Sequence, residues 1–312
     1  MARYRDHLPQ LGGDLFLTDG GIETTLIFLE GLELPYFASF HLLSDEKGTA
    51  ALRKYFQTYA EMAKRYGIGC VLESGTWRAS ADWGAKLGYD TAAIAEINRR
   101  AIDVLHAVRD QYETEKSKIV ISGCIGPRGD GYTPAALMSE SEAERYHALQ
   151  AEAFRDAGAD LVTAITMTYA AEAIGITRAA QQAGMPVVIS FTVETDGRLP
   201  TGQELKDAID EVDQATGSAP QYYMINCAHP THFAGQLSGR APWLERIRGL
   251  RANASVKSHA ELDEARELDD GNPAELAEQY RELRTRLPRL NVVGGCCGTD
   301  HRHVEAICKA LL

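Results

Sequence analysis

Short apolar runs rich in β-branched residues recur along the chain, each followed by a longer segment with helical spacing. They are DLFLTDGG (14–21), IGCVLESG (68–75), KIVISGCIG (118–126), DLVTAITM (160–167), PVVISFTV (186–193), QYYMINCA (221–228), the weaker LRANASV (250–256) and LNVVGGCC (290–297). Between them lie stretches such as AALRKYFQTYAEMAKRYG and SEAERYHALQAEAFRDAG, and several close on a glycine (Gly67, Gly158, Gly184), as helix C-termini often do. The runs are continuous rather than alternating, which suits parallel strands covered on both faces. Strand then helix, eight times over, predicts an α/β chain folded as a single-domain (β/α)8 TIM barrel spanning residues 1–312. A doubly wound open sheet is the rival, but no Gly-x-Gly-x-x-Gly turn follows the first run. No Pro/Ser/Gly tract divides the chain. The acidic stretch KSHAELDEARELDDGNP (257–273) reads as a loop or helical insertion after the seventh strand, with a solvated face.

Charge narrows the partners. The net charge is −12 and no basic stripe appears, which argues against a nucleic-acid partner. The opening MARYRDHLPQ lacks the apolar core of a signal peptide, and no run approaches the ~20 apolar residues of a membrane span. The expectation is a cytoplasmic protein that leaves the membrane alone and acts on small molecules, with homo-oligomerisation left open. Six cysteines are too few for a disulfide scaffold in a chain of this length, so clustered ones read as ligands or catalysts.

In such a barrel, chemistry gathers at the C-terminal ends of the strands. Asp19-Gly20-Gly21, Glu73, Cys124, Glu194, Asn226-Cys227 and Cys296-Cys297 all fall at expected strand ends, on one rim. Cys227, Cys296 and Cys297 could therefore converge on one ion, and three protein ligands with an open fourth position is the arrangement of a catalytic zinc. Gly294, Gly295 and Gly298 flank the pair and free the backbone there. Three thiolates make zinc a poor Lewis acid for water, yet a thiol entering fourth still loses its proton, which suits alkyl transfer to sulfur. The competing reading is buried cysteines acting as small hydrophobes, which is the reading for Cys70, Cys124 and Cys308. A vicinal Cys296–Cys297 disulfide would be strained.

At these residues the chain resembles the homocysteine S-methyltransferase family, from about residue 14 to the C-terminus. The likeness is carried by TDGGIETTL (18–26), INCAHP (225–230) and VVGGCCGTDHRH (292–303). The resemblance implies a zinc enzyme on a (β/α)8 barrel with Cys227, Cys296 and Cys297 as the Zn2+ ligands. It also implies that Asp19, Gly20 and Gly21 line an amino-acid pocket, that Asn226 supports the metal site, and that Thr76 in SGTWRAS lies near the substrate. The chain departs from the family in ITMTYAAEA, where Ile165 stands in place of a glutamate that grips the homocysteine amine. Glu23 and Glu73 are carboxylates the family pattern does not call for, so the amine-binding carboxylate is expected at one of them; pairing of both with Arg78 or Arg128 is the alternative. His229, His232, His301 and His303 are read as structural or supporting groups at helix starts.

The expected reaction is methyl transfer from a sulfonium or quaternary ammonium donor to a zinc-bound small-molecule thiol, with homocysteine as acceptor and methionine as product. Trp77 and Trp83 are candidate cation–π partners for the donor, or core residues. The chain has no length for an added cobalamin domain, so a corrinoid would arrive on a partner. Two alternatives stand beside this: the same site methylating or demethylating another sulfur or selenium compound, favoured by Ile165, or a non-catalytic protein whose zinc is closed by a fourth ligand such as His229.

Overall fold

The computed structural model describes residues 1–134, 137–264 and 267–312. Its eight strands are β1 (Phe16–Leu17), β2 (Gly69–Glu73), β3 (Ile119–Ile125), β4 (Leu161–Met167), β5 (Val187–Phe191), β6 (Tyr223–Asn226), β7 (Ile247–Ala252) and β8 (Val292–Gly295). All pair in parallel with their sequence neighbours, and β1 pairs with β8, so the sheet closes into the barrel expected from the sequence. The long helices are α1 (Glu46–Tyr66), α2 (Thr91–Tyr112), α3 (Glu140–Asp156), α4 (Ala170–Gln182), α5 (Leu205–Thr216), α6 (Pro273–Arg286) and α7 (His301–Leu311). No described helix is long and apolar enough to cross a membrane.

The strand–helix alternation breaks once. Between β6 and β7 there is only a one-turn helix, Pro230–Phe233, and a 3-10 turn, Pro242–Arg246, among the described residues. Gly235, Ser238, Gly239 and Pro242 crowd that segment, and each is a poor interior helix residue. β1 keeps only two paired residues of the expected run, because past Asp19 the chain turns away, Gly20 meeting α1 and Gly21 the loop after β8. β7 begins three residues before its expected start; half-buried Arg248 and inward Arg251 disguise it as polar sequence. Gly67, Gly158 and Gly184 all take positive φ just past helix ends, as expected. Of the acidic segment 257–273, residues 265 and 266 lie outside the described residues; its start is a short helix, His259–Asp263, capped by Ser258.

Period-two alternation sorts the barrel interior into layers. Phe16, Val71, Val120, Leu161, Val188, Met224 and Val292 form one buried cluster, closed from below by Leu8. Phe16 and Met224 spread over Gly69 and Gly249, where a Cβ would collide with them. Two residues further along the strands the same inward positions carry Thr18, Glu73, Ser122, Thr163, Ser190, Asn226 and Arg251. These are buried, and all but Thr18 are bonded within the layer, Ser122 to Thr163 at 2.7 Å and Ser190 Oγ donating to Asn226 Oδ1 at 2.6 Å among them. A dry floor thus supports a polar layer directly beneath the C-terminal mouth, while the remaining core packs between barrel and helices.

Candidate metal centre and substrate site

Cys227 ends β6 and Cys296-Cys297 follows β8, with the end of β7 between them. The β7 carbonyls stitch both loops into place: Arg251 C=O accepts from Cys227 N–H at 3.1 Å and Ala252 C=O from Cys296 N–H at 2.9 Å. Ala254 N–H in turn donates to Cys297 C=O at 3.0 Å. The three sulfurs lie within 4.8 Å of one another, and Cys227 Sγ is 3.8 Å from Cys297 Sγ. Four-coordinate zinc with bonds of about 2.3 Å sets its sulfurs roughly 3.8 Å apart. Cys227 and Cys296 stand in contact as a disulfide, with Cα atoms 5.4 Å apart. Reduced, the same two positions supply thiolates beside Cys297, so the donor set fits a thiophilic ion. The Cys296–Cys297 neighbours are not bonded to each other.

The glycines act by close approach as much as by turning. Gly298 has φ +78°, which favours glycine, and its N–H donates to Thr24 Oγ1 at 3.0 Å. Gly294 and Gly295 lie within β8, where a Cβ would strike Thr18 and Thr299. A Cβ on Gly21 would fall 2.6 Å from the Cys296 carbonyl oxygen. The start of the Ile22–Thr24 turn therefore presses against the cysteine loop, through the Cys296 carbonyl and not its sulfur.

Asn226 holds the opposite side. Its Oδ1 accepts from Thr166 N–H at 2.9 Å, and its Nδ2 donates to Thr166 Oγ1 at 2.9 Å and points at Cys296 Sγ at 3.9 Å. Thr166 has φ +65°, a left-handed conformation that is a true outlier for a β-branched residue and costs about 1–2 kcal/mol. The irregular register of β4 between Ala164 and Met167 comes with it. Ile165, one residue earlier, is buried at this same end, and its carbonyl accepts from Trp77 Nε1 at 3.3 Å.

Asp19 and Glu73 share a buried guanidinium that the sequence reading did not single out. Arg251 reaches Asp19 Oδ1 at 2.6 Å, is paired with Glu73, and donates from Nε to Gly295 C=O at 3.1 Å. Tyr55 donates to the other Asp19 oxygen at 2.9 Å. Burial raises the pKa of both carboxyls, and Arg251 works against that shift. Burial opposes the charge of Arg251 in turn, but Asp19 and Glu73 outweigh it and raise its pKa. Glu73 is thus committed to an arginine, though neither Arg78 nor Arg128: Arg128 pairs with Asp82 at 2.7 Å. Glu23 differs. It is half-buried, accepts from Ser39 Oγ at 3.1 Å, and burial pushes its pKa up to about 6.

Other expected residues take quieter places. Thr76 is fully buried and donates to Cys124 C=O at 2.7 Å, so it shapes the loop after β2. Burial pushes the Cys124 thiol well up and Cys308 to about 11, as suits core cysteines. His229 caps the turn Pro230–Phe233 through Nδ1, and burial lowers it to about 4. His303 bonds Asp300 and the Asp270 carbonyl, and among the described residues no histidine joins the sulfur cluster. Trp83 carries the protein's own cations, Arg78 at 3.8 Å and Lys86 at 3.7 Å from the ring centre, and Arg78 also lies 4.8 Å from Trp77. Tyr132 stacks on His259, which bonds Glu194, and the Tyr132 hydroxyl lies beside Cys297. Of these only Glu194 carried a signal, its place at a strand end.

A closed parallel barrel with three cysteine sulfurs gathered at its C-terminal mouth defines a barrel protein whose mouth could hold a metal ion. The homocysteine S-methyltransferase family model matches residues 16–311, and the chain belongs to that family. It is 27% identical over 277 residues to methionine synthase of Mycobacterium leprae (strain TN), and 25% identical to that of Mycobacterium tuberculosis. Each match covers 83% of this chain but 21% of the relative, so the chain spans about a fifth of the curated relatives' length. Among solved structures, the homocysteine methyltransferase MmuM from Escherichia coli in its oxidized form superposes with a TM-score of 0.74 at 18% identity, covering 98% of this chain and 99% of that one. The metallated form gives 0.69 at 17% identity, with 95% of each chain covered. These two likenesses bear on the fold.

Proposed function

We propose that this chain is a zinc-dependent S-methyltransferase that carries a methyl group from a sulfonium or quaternary ammonium donor to a small-molecule thiol, with homocysteine as acceptor and methionine as product. The observation that carries this reading is the convergence of Cys227, Cys296 and Cys297 within 4.8 Å at the mouth, with no fourth protein donor in the cluster among the described residues. Cys227, Cys296 and Cys297 would hold the zinc ion, which would lower the pKa of a substrate thiol from its free value of ~8.5 so that it is ionised near neutral pH.

The chain's own groups then bind and aim. Gly20 and Gly21 let the chain pack closely against Tyr59, Thr299 and the Cys296 carbonyl, which fixes the loop after β1 beside the cysteine loop. Glu23 is the carboxylate available for the substrate ammonium, because Glu73 and Asp19 already share Arg251. Asp19, Glu73, Asn226 and Thr76 act by holding that loop and the sulfurs. The donor carbon must lie in line with the acceptor sulfur, and positioning supplies most of the acceleration of such a displacement.

Metal stoichiometry and zinc-edge X-ray absorption on reduced, loaded protein test this. Adding homocysteine should replace a light-atom neighbour with a fourth sulfur; a closed four-ligand site that ignores the thiol overturns the proposal. Ile165 supports a second reading, in which the thiol lacks an ammonium group. A fourth sulfur from 2-mercaptoethanesulfonate but none from homocysteine would select it.

A further inference from the structure

Three loops meet beside Cys297 in a cluster that the methyl-transfer reading does not use. Tyr132, in the loop after β3, lies over the His259 ring with centroids 4.0 Å apart and planes 16° apart. His259 opens the short helix after β7 and is nearly fully buried. Its Nε2 is 2.6 Å from the Cys227 carbonyl oxygen, and its Nδ1 is 3.0 Å from Glu194 Oε1, beyond β5. The phenol is therefore seated on a ring fixed at both nitrogens. Its hydroxyl lies 3.2 Å from Cys297 Sγ.

A metal-bound cysteine has no proton, so in that state the tyrosine O–H must be the donor and the sulfur the acceptor. Asn226 Nδ2 points at Cys296 Sγ from the other side at 3.9 Å. A donor aimed at a thiolate draws charge from it and makes it a weaker nucleophile. That matters where protein sulfurs and a substrate sulfur crowd one electrophilic methyl group. We propose that Tyr132 is a positioning residue that quenches the nucleophilicity of Cys297, so that the methyl group goes to the substrate sulfur and not to the protein. The inference rests on the metal-site reading above. The reaction it suppresses is simple: the Cys297 sulfur lone pair forms a C–S bond to the methyl carbon, and the carbon–leaving-group bond breaks with its electron pair on the leaving group.

The test compares parent and Tyr132→Phe, which keeps the ring on His259 and removes only the hydroxyl. Both are reduced, loaded with Co2+ and examined for thiolate-to-cobalt charge transfer. The band should move to lower energy in the variant, since an undamped thiolate gives up its electron more readily. In parallel, zinc-loaded protein is treated with methyl iodide without thiol substrate, and methylation of each cysteine is followed by peptide mass spectrometry. Cys297 should be methylated on the order of ten-fold faster in Tyr132→Phe, with Cys227 little changed. Tyr132→Leu, which also removes the stacked ring, should show the same band shift if the hydroxyl is the cause. An unmoved band together with equal Cys297 methylation in parent and Tyr132→Phe overturns the proposal. Absence of any thiolate charge-transfer band in the parent overturns the metal-site reading, and this inference with it, so the two failures are told apart.

Discussion

Glu23 and Arg251 show how neighbouring charges at one mouth come to different uses. Arg251→Met leaves Asp19 and Glu73 facing each other, buried and unpaired, which should cost about 3–5 kcal/mol in a denaturant titration. The sign of its pH dependence is fixed. Burial already raises both carboxyl pKa values, and removing the guanidinium raises them further. The folded variant then holds more protons than the unfolded chain, so its stability deficit should shrink as pH falls from 8 to 5. Glu23, raised to about 6, is a carboxylate at neutral pH and becomes neutral as pH falls through that value. An ammonium-bearing thiol should therefore bind more weakly below pH 6. Glu23→Gln should raise its KM roughly ten- to hundred-fold at pH 8 and flatten the profile between pH 5 and 7, with zinc content unchanged. Glu23 and Glu73 were legible as extra rim carboxylates. Arg251 was not, because a charged residue inside a weak strand reads as surface until the barrel closes around it.

Strands and loops divide the work of building the site. The eight runs were readable because buried parallel strands are continuous and apolar, and the cysteines because paired thiols beside glycines are rare enough to stand out. What stayed hidden depends on pairings between distant loops. Nothing near Tyr132 in the sequence announces that it will lie on His259, which belongs to a stretch whose acidic composition suggested only a solvated face. The same holds for the hold of β6 on β4. Asn226 satisfies both the N–H and the hydroxyl of Thr166 at its positive φ. Asn226→Ala should leave a buried N–H unpaired at about 1–3 kcal/mol, and let Cys296 drift, lowering zinc affinity in a chelator competition. Asn226→Asp keeps the acceptor and loses the donor, so it should recover part of the stability and less of the metal affinity.

On the proposed metal-site reading, a bound ion would be tied to the stability of the whole chain, since Cys227 follows β6 and Cys296 follows β8, 69 residues later. Saturating zinc should raise the thermal midpoint by several degrees: an ion at a thousand times its Kd adds about 4 kcal/mol. Removing it with a strong chelator, under reducing conditions, should reverse the gain. Part of that effect has an address. β1 contributes only Phe16 and Leu17, so the closure between β1 and β8 relies on few amides, chiefly Phe16 N–H to Asn291, Thr18 N–H to Val293 and Gly295 N–H to Asp19. Each of β1's two seams has only two paired residues, the fewest in the cylinder, and Gly21 and Cys296 sit on the two lips of this one. In deuterated water the amides of Thr18 and Gly295 should exchange earliest among the barrel's ladder amides, by local opening rather than global unfolding. Zinc should slow them, because the ion grips one lip and the Thr24–Gly298 and Gly21–Thr299 bonds carry that grip to the other. Metal occupancy would then be readable from the breathing of a seam that contributes no ligand across its β1 side.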